Sequence, residues 1–299
     1  MVLNIKKGVT PMPELICVYG ESGVGKTTFA SGFPNPIFIC AENGMGEIDA
    51  PHVEVKNFNE FKAVLLDKDL EQFDTIVIDS LDWLEAMIYR WMMEKYEVDT
   101  VQKVGGGYGA YVSVALTMWQ KIIEHLSALR AKGKNLVLIS HYQIKPYHDP
   151  EQVEAYDKYR LKLQDKVSAL ITEWVDILMF AKFETFVKVE SGMKKNKAIS
   201  SGRRVAHVYS KASFDAKTRF EMPESFDFSY EDYRKARESK FKGAPVILKE
   251  IRELINEPVI ANDEKTKNNI LKAIADKADD FEGLLNIKKR IEVLLKESK

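Results

Sequence analysis

A glycine-rich stretch near the N-terminus has the residue types and the spacing of a phosphate-binding loop. Residues 20–28 read Gly-Glu-Ser-Gly-Val-Gly-Lys-Thr-Thr and match G-x-x-x-x-G-K-[ST] between an apolar run and a helical pattern. Glycines let backbone N–H groups wrap a phosphate chain, and the helix N-terminus adds the positive end of its dipole. We therefore predict a nucleotide-binding site formed by Gly20, Glu21, Ser22, Gly23, Val24, Gly25, Lys26, Thr27 and Thr28.

Two of these side chains have distinct chemical roles. Lys26 is expected to reach the β- and γ-phosphates, and the hydroxyl of Thr27 is expected to bind Mg²⁺. The alternative is a glycine-rich turn that precedes a lysine by chance. The apolar strand before the loop and the helix after it favour the phosphate site.

A carboxylate that completes the magnesium site is expected at the end of a second apolar strand. Residues 73–80 read Phe-Asp-Thr-Ile-Val-Ile-Asp-Ser, which is the pattern of a Walker B segment ending in Asp79. The alternative for Asp79 is a simple N-cap of the helix that begins at Leu81. With a phosphate loop in the same chain, Thr27 and Asp79 are the predicted metal ligands.

The catalytic carboxylate is expected on a different strand. Ser80, and not a glutamate, follows Asp79, whereas Glu42 ends the strand that follows the phosphate-loop helix. A carboxylate there can polarise the water that attacks the γ-phosphate. The alternative is a surface glutamate at a strand end. The nucleotide is predicted to be ATP, because the guanine-reading motif N/T-K-x-D is absent from the chain.

The surrounding pattern predicts the elements that position these residues. Apolar runs alternate with helical segments through the first 180 residues, which is typical of a mostly parallel sheet flanked by helices. The predicted strands are 14–19, 36–41, 74–79, 135–140 and 175–181, and the predicted helices are 26–32, 58–68, 81–95 and 110–132. Short alternating runs in 183–222 predict an antiparallel β extension.

The C-terminal part of the chain has a different pattern. A polar hinge is predicted at 230–243, and helices are predicted at 245–256, 263–277 and 280–297, with Asn262 or Asp263 as an N-cap. The predicted organisation is an α/β domain over residues 1–230 and a small helical extension over 244–299.

Composition excludes several classes of protein. The 299 residues include 44 Lys+Arg and 45 Asp+Glu, so the net charge of -1 excludes a uniformly cationic DNA-coating protein. Cys17 and Cys40 lie in apolar runs, and no Cys/His spacing indicates zinc. No signal peptide and no membrane-spanning run is evident, so we expect a cytoplasmic protein without a membrane partner.

Together the motifs resemble the RecA-like P-loop ATPases. The resemblance is to a compact phage-encoded group of AAA-domain nucleotide-binding proteins, which includes the Sak-type single-strand annealing ATPases. It covers roughly residues 13–228 and depends on the order and spacing of the segments GESGVGKTT (20–28), FICAENG (38–44), FDTIVIDSLDWLE (73–85), NLVLISH (135–141), ITEWVDILMF (171–180) and FDAKTRFEMPE (214–224). It implies a RecA-like core, ATP and Mg²⁺ as cofactors, and a phage protein acting in the cytoplasm of its bacterial host.

The resemblance also assigns roles to individual residues. Lys26 and Thr27 match the phosphate and magnesium ligands, Asp79 matches the Walker B acid, and Glu42 matches the catalytic glutamate. His141 occupies the place of the polar γ-phosphate sensor, although this chain has Ser-His where RecA has Asn-Gln. A neutral imidazole there is expected to donate to the γ-phosphate, and the alternative is a buried structural histidine. The predicted catalytic residues are therefore Lys26, Glu42, Asp79 and His141.

In RecA-like proteins, the loops after the Walker B helix and after the sensor strand contact DNA. The corresponding segments are 102–109, with Lys103 and Tyr108, and 142–148, with Lys145. Cations that pair with phosphates and aromatic rings that stack on bases are typical of sequence-tolerant single-strand binding. The alternative is that both segments are only flexible loops of the active site.

A basic stretch adds further candidates. Residues 188–219 contain nine basic and two acidic residues, a local formal charge of +7. Solvated surface charge is the alternative to a role in binding DNA. The candidates for DNA binding in this stretch are Lys194, Lys195, Lys197, Arg203 and Arg204. Lys217 and Arg219 are candidates for cations that reach the γ-phosphate of a neighbouring subunit, which requires a homo-oligomer.

The leading hypothesis is an ATPase that binds single-stranded DNA and promotes annealing or pairing in phage DNA recombination or replication. DNA is expected to stimulate its turnover, and a single-strand binding or replication protein is a further expected partner. The alternative is a nucleotide-switched loader or scaffold that recruits such a protein through the helical tail. A small-molecule kinase ranks third, because no Arg-rich lid is evident between the motifs.

Overall fold

The sheet is the scaffold of the molecule. The computed structural model describes residues 12–42, 44–151, 153–188, 197–238, 244–261, 263–276 and 281–297. In these residues the strands are β1 (Leu15–Gly20), β2 (Pro36–Cys40), β3 (His52–Glu54), β4 (Thr75–Asp79), β5 (Asn135–Tyr147), β6 (Tyr156–Leu161), β7 (Ile177–Lys188), β8 (Lys197–His207), β9 (Lys217–Thr218) and β10 (Ser225–Asp227).

Helices connect and flank these strands. They are α1 (Lys26–Ser31), α2 (Phe58–Leu65), α3 (Leu81–Lys95), α4 (Ala110–Ala131), α5 (Asp165–Trp174), α6 (Tyr230–Glu238), α7 (Ala244–Ile255), α8 (Pro258–Ala261), α9 (Glu264–Asp276) and α10 (Phe281–Glu297). Short 3₁₀ helices lie at Lys68–Gln72 and Val101–Gly106.

The strand order confirms the predicted α/β class. The sheet runs β10-β8-β7-β1-β5-β4-β2-β3, with the pairs from β7 to β3 parallel and β8 and β10 antiparallel. Strand β5 thus lies between the phosphate-loop strand β1 and strand β4, and the antiparallel extension follows β7. This is the predicted mostly parallel sheet with an antiparallel extension.

Burial on both faces explains why the central strands are continuous apolar runs. Leu15, Cys17 and Tyr19 of β1 belong to a cluster with side chains of α2, α3, α4 and α5. Ile16 and Val18 alternate with them and are also 0% exposed, so the opposite face is covered as well. Strands covered on two faces lack the polar alternation of a half-exposed sheet, which is why the sequence showed them clearly.

The structure corrects one predicted loop. The segment 142–148 is the second half of β5, which continues to Tyr147 and pairs antiparallel with β6. The side-chain amide of Gln143 donates to the carbonyl oxygens of Leu161 and Leu163, each at 2.8 Å, and the rings of Tyr142 and Tyr159 meet edge to face. Cross-strand pairing therefore orders this segment, and the sequence pattern of β6 was too polar to indicate its partner strand.

Other boundaries also differ from prediction. The predicted helix 58–68 ends at Leu65, because Asp67 accepts the N–H of Asp69 and begins a 3₁₀ helix instead. The predicted hinge at 230–243 contains α6, in which Ser229 accepts the N–H of Asp232, while residues 239–243 lie outside the described residues. Strand β3, strand β6 and helix α5 were not predicted.

The chain divides into two compact units. The first comprises residues up to Arg219 together with Pro223–Tyr233, and the second comprises Phe220–Met222 and the residues from Arg234 onward. In the second unit, the amphipathic helices bury an apolar cluster of Ile251, Ile255, Ile260, Ile270, Leu284 and Ile291. Asp263 accepts the N–H groups of Lys265 and Thr266 at the start of α9, whereas Asn262 lies outside the described residues.

Candidate active site

The carboxyl ends of four parallel strands converge on the phosphate loop. The loop leaves β1 at Gly20, which lies between His141 of β5 and Ala181 of β7 in the register of the sheet. A Cβ atom at Gly20 would lie 1.9 Å from the carbonyl oxygen of Ala181, so only glycine fits. Gly25, the N-cap of α1, has a φ of 99°, which favours glycine. Packing and backbone conformation therefore explain these two glycines.

Six of the nine predicted loop residues line a cleft of about 290 Å³, whereas Gly20, Glu21 and Val24 are not among its lining residues. Its lining residues come from the loop, from the end of β2 and from the ends of β4 and β5, and are Ser22, Gly23, Gly25, Lys26, Thr27, Thr28, Glu42, Gly44, Ile48, Asp79 and His141. The structure thus brings all four predicted catalytic residues to one cleft.

Lys26 is the buried cation of this cleft. It is 6% exposed, and its Nζ donates to the carbonyl oxygens of Gly20 at 3.2 Å and Glu21 at 2.8 Å. Burial lowers the pKa of Lys26, although the carboxylates of Asp79 and Asp82 act in the opposite direction. In the described residues two carbonyl oxygens hold this buried ammonium, which would gain strong electrostatic stabilisation from phosphate oxygens.

Asp79 and Thr27 form the predicted metal-binding pair. The hydroxyl of Thr27 donates to Asp79 Oδ2 at 2.8 Å. Helix α3 has Ser80 as its N-cap, so Asp79 points to the phosphate loop and does not cap the helix. Burial raises the pKa of Asp79, and the hydrogen bond from Thr27 opposes this rise. A buried carboxylate beside a hydroxyl supplies the oxygen ligands that Mg²⁺ prefers, so these residues fit the ion.

Glu42 is held beside Asp79 by the backbone. The N–H groups of Ala41 and Glu42 donate to the carbonyl oxygen of Asp79 at 2.7 and 3.3 Å. The hydroxyl of Ser80 donates to Glu42 Oε2 at 3.4 Å. The side chain of Glu42 remains 32% exposed and lines the cleft, which gives a water molecule access to its carboxylate. This is the placement required of a general base.

His141 is oriented by a residue that the sequence analysis missed. Asp82 accepts the backbone N–H of His141 at 3.1 Å, and its Oδ2 lies 3.0 Å from Nδ1 of the imidazole. Burial disfavours the charged carboxylate, but the hydrogen bonds from His141 outweigh it and lower the pKa of Asp82 to about 2. An ionised Asp82 assigns the Nδ1 proton to this bond. The only sequence signal was a carboxylate in the first turn of the helix after β4.

This tautomer changes how His141 can act. Because the Nδ1 proton faces Asp82, Nε2 of a neutral imidazole is an acceptor and has no proton to give to a phosphate. Donation from Nε2 to the γ-phosphate therefore requires the imidazolium form. The prediction that a neutral imidazole donates there is not compatible with this geometry. Glu42 lies 4.0 Å from Nδ1, so two carboxylates surround the ring.

A second cleft of about 530 Å³ adjoins Asp82. Its lining residues are polar and aromatic side chains of α3 and of the β5–β6 hairpin, and include Asp82, Trp83, Glu85, Tyr89, Gln143, Lys145 and Lys162. Lys162 Nζ lies 3.6 Å from Asp82, and the backbone N–H of Lys162 donates to the carbonyl oxygen of His141 at 3.0 Å. His141 thus lines the nucleotide cleft, Asp82 lines the second cleft, and the hydrogen bonds between the two residues connect the clefts.

Glu85 is a buried acid in this second cleft. It is 8% exposed, and the backbone N–H of Gln164 donates to its carboxylate at 3.1 Å. Burial raises the pKa of Glu85 from its ordinary value of 4.5 to about 7, although the hydrogen bonds from Gln164 and Tyr89 act in the opposite direction. A single carboxyl group therefore changes its charge near neutral pH beside Asp82.

The predicted DNA-binding residues lie in different surroundings. Lys103 pairs with Asp99 at 2.7 Å, Tyr108 is fully exposed, and Lys145 pairs with Asp165 at 2.8 Å on the wall of the second cleft. Arg203 pairs with Asp227 and lies 3.5 Å from Glu184. Lys197 lies in β8, and Lys194 and Lys195 lie outside the described residues. Binding of DNA by these residues remains a prediction.

Arg204 lies beside the phosphate loop. A Cβ atom at Gly25 would lie 2.7 Å from Nη1 of Arg204, so the guanidinium is directly against the loop. The antiparallel pairing of β8 with β7 and the parallel pairing of β7 with β1 bring it there across the sheet. Arg204 was predicted to be a DNA-binding cation, and its position beside the phosphate loop follows from strand pairing that no local sequence pattern indicates.

Lys217 and Arg219 are engaged within their own chain. Lys217 Nζ donates to the carbonyl oxygens of Thr172, Glu173 and Val175 at 2.8 to 3.0 Å, which caps the C-terminal end of α5. Arg219 pairs with Asp176 at 3.1 Å. Their role toward a neighbouring subunit remains a prediction, and it would require these bonds to be exchanged.

Two features are absent from the described residues. No helix in the ranges given above is long and apolar enough to cross a membrane. No group of three or more His, Cys, Asp or Glu side chains in those ranges is arranged to hold a metal ion.

Comparison with known proteins identifies one curated relative and distant structural similarity. The chain is 23% identical over 135 residues to the SPbeta prophage-derived uncharacterized protein YorG of Bacillus subtilis (strain 168), and the match spans 43% of this chain and 41% of the relative. The chain thus matches about two fifths of that relative's length.

Two archaeal crystal structures are also similar. They are the flagellar accessory protein FlaH from Methanocaldococcus jannaschii (14% identity, 69% of this chain and 88% of that chain, TM-score 0.35) and the KaiC-like protein PH0186 from Pyrococcus horikoshii OT3 (11% identity, 66% of this chain and 85% of that chain, TM-score 0.33).

The family assignment covers most of the α/β unit. Residues 12–220 match the family AAA_24, described as an AAA domain. This range contains the phosphate loop, Glu42, Asp79, the His141–Asp82 pair and Arg204. The chain therefore belongs to the AAA_24 family of AAA-domain proteins.

Proposed function

We propose that this protein is an ATPase that couples the state of its nucleotide to the binding of single-stranded DNA. The observation that carries the proposal is the contact of Asp82 with His141 on one side and with Lys162 on the other. One carboxylate thus joins the nucleotide cleft to a neighbouring cleft that contains cationic and aromatic side chains. The AAA-domain family and the phosphate-loop geometry support the nucleotide part of the proposal.

In the proposed reaction, the chain positions the nucleotide and the attacking water. The loop N–H groups and Lys26 hold the phosphates, and Thr27 and Asp79 would hold Mg²⁺, which would supply positive charge that stabilises the charge developing on the phosphate oxygens. Glu42 orients the water and accepts its proton. Hydrolysis removes the γ-phosphate, and His141, in the imidazolium form that this contact requires, loses the anion that Nε2–H would otherwise contact.

Two contacts can transmit a displacement of His141 to the β5–β6 hairpin. The imidazole is tied to Asp82, which lies beside Lys162, and the His141 carbonyl accepts the N–H of Lys162. A displacement of His141 therefore moves the end of the β5–β6 hairpin through both a side chain and the backbone. Loss of the γ-phosphate commonly acts by releasing a segment in this manner.

The second cleft has the groups that single-stranded DNA requires. Lys145 and Lys162 supply two ammonium groups for phosphates, and Trp83, which is 48% exposed, supplies a ring for a base. Stacking of a base on an aromatic ring contributes about 1–3 kcal/mol. A phosphate would replace Asp165 as the partner of Lys145.

The similarity to a prophage-derived protein supports a phage setting for this activity. We therefore infer a role in phage DNA recombination or replication, with annealing or pairing of strands as the outcome. We also propose that several copies of the chain assemble and that they contact a single-strand binding or replication protein.

The test is the rate of ATP hydrolysis with and without an oligothymidine of increasing length. We expect DNA to stimulate turnover, and we expect Lys145→Ala to abolish most of the stimulation without changing the basal rate. Lys166→Ala, an exposed lysine of α5 that lines neither cleft, is the matched control. A rate that stays flat across DNA lengths in the presence of bound ATP would overturn the coupling to DNA.

A second candidate function is a nucleotide-switched loader or scaffold. The C-terminal unit has its own apolar cluster, and it still exposes Val259, Leu271 and Val293 by 48%, 44% and 51%. Exposed apolar side chains on amphipathic helices are candidates for a protein contact. The test is co-sedimentation of the Leu271→Ser and Val293→Ser variants with a candidate replication protein. Loss of co-sedimentation while DNA still stimulates ATP turnover would favour this role.

A further inference from the structure

A third cleft, separate from the nucleotide site, lies between α2, the C-terminal half of α3, and α4. It has a volume of about 340 Å³ and an apolar floor that includes Phe58, Leu65 and Ile122, which are 2%, 6% and 3% exposed. Trp91, one of its walls, is nine residues beyond Asp82 on α3, or about 14 Å along the helix. This distance separates the cleft from the catalytic groups.

The rim of this cleft is cationic. Lys62, Lys95 and Lys121 line it together with His125, and none of its ten described lining residues is acidic. None of the three ammonium groups forms an ion pair with a carboxylate in the described part of the chain. The surface therefore combines a concave apolar floor with an uncompensated positive rim.

Trp91 is held in place by its neighbours. Its ring meets Phe58 edge to face, with the ring centroids 5.5 Å apart. Lys62 Nζ and Lys95 Nζ each lie 4.9 Å from the centroid of the Trp91 ring. Two cations near the indole fix its position and occupy the approach to its faces.

We propose that this cleft binds a short acidic peptide segment of another protein, with an apolar side chain of the peptide inserted against the floor. Carboxylates of such a segment pair with the lysines of the rim, and this charge complementarity accelerates association and selects the partner. Burial of the apolar anchor supplies affinity, at about 25 cal/mol for each Å² of apolar surface removed from water. The site would give the protein a partner independent of its nucleotide and DNA clefts.

The lining favours a peptide over a nucleic acid. Sequence-tolerant nucleic-acid sites present open aromatic faces on which bases stack. Here Lys62 and Lys95 occupy the approach to the Trp91 ring, and the remaining floor is mostly aliphatic. Leu66 at the edge of the cleft is 63% exposed and extends the apolar surface that an anchor side chain would cover.

The test uses a fluorescein-labelled peptide of Asp and Gly that ends in Phe, with fluorescence anisotropy as the readout on the full-length protein. We expect saturable binding that weakens as salt rises. Replacement of the terminal Phe by Gly, and the substitutions Lys62→Glu and Leu66→Asn in the protein, should each weaken it by about tenfold or more. Lys166→Glu makes the same charge change outside the cleft and should leave binding unaltered.

Two results would overturn the proposal. One is a lack of discrimination: the peptides with and without Phe bind with equal affinity, or the wild-type protein and Lys62→Glu bind the peptide equally. Either outcome would exclude this cleft as the binding site. The other is an oligothymidine that binds more tightly than the peptide and loses its affinity in Leu66→Asn, which would make the cleft a nucleic-acid site. Retained binding of a fluorescent ATP analogue in each variant verifies that the nucleotide domain is folded.

Discussion

Nδ1 of His141 lies 3.0 Å from Oδ2 of Asp82, and the same carboxylate accepts the backbone N–H of His141 at 3.1 Å. Two hydrogen bonds from one residue fix both the position and the tautomer of the imidazole. Asp82 is not among the described residues that line the nucleotide cleft, and in the proposed function it acts through His141 as a positioning residue. It also lines the neighbouring cleft, which makes it the connection between nucleotide and hairpin.

Substitution of Asp82 tests this connection. Asp82→Asn keeps the shape of the side chain but removes the charge that orients the imidazole, so we expect a fall in kcat of about tenfold to a hundredfold. The KM for ATP should change little, because the phosphate loop is intact, and stimulation by oligothymidine should be lost. Steady-state ATPase assays measure all three quantities. Asp74→Asn, at an exposed aspartate immediately before β4, is the control; equal DNA stimulation in both variants would contradict the coupling.

Glu42→Gln separates the chemical step from nucleotide binding. The amide keeps the hydrogen bond with Ser80 but cannot accept a proton, so we expect hydrolysis to slow by about 10²-fold or more with unchanged affinity for ATP. Lys26→Ala removes the buried ammonium and should abolish binding itself. Titration of a fluorescent ATP analogue and single-turnover hydrolysis distinguish the two variants. Unaltered hydrolysis in Glu42→Gln would refute its catalytic role.

Arg204→Ala tests the position of Arg204 beside the phosphate loop. A guanidinium against Gly25 adds positive charge where the phosphates bind, and we expect its loss to weaken ATP affinity by about fivefold to tenfold. Arg203→Ala is the matched control, because successive residues of a strand point to opposite faces and Arg203 pairs with Asp227. Equal ATP affinities in the two variants, measured by analogue titration, would exclude a contact of Arg204 with the nucleotide.

The raised pKa of Glu85 predicts that the free energy of unfolding depends on pH. Its pKa is raised from 4.5 to about 7, so the folded protein binds a proton that the unfolded chain releases between these values. The free energy of unfolding should therefore fall as pH rises from about 4.5 to about 7, with a contribution of up to about 3 kcal/mol from this group. Glu85→Gln keeps an acceptor for the N–H of Gln164 and should flatten this dependence and stabilise the protein at pH 8. Urea unfolding at pH 5 and pH 8 measures the effect, and parallel pH profiles for the two proteins would contradict it.

The nucleotide loop and the central sheet were predictable because their signals are local. The spacing of Gly20, Gly25 and Lys26 is required by backbone geometry at the phosphate site, and strands buried on both faces appear as uninterrupted apolar runs. The ends of such parallel strands meet at one edge of a sheet, so Glu42 and Asp79 could be assigned to the same cleft. These assignments needed only segments of a few residues and their order along the chain.

The tertiary structure alone decided which side chains complete the site and how the neighbouring segments are organised. Asp82 acts on His141, and Arg204 approaches Gly25, because the register of β1, β4, β5, β7 and β8 joins residues far apart in the chain. Polar strands such as β6 and charged side chains such as Lys217 have partners that no local pattern specifies. Hydrogen bonds and ion pairs of this kind depend on distances of a few ångströms in space, and these arise only after the apolar strands and helices have packed.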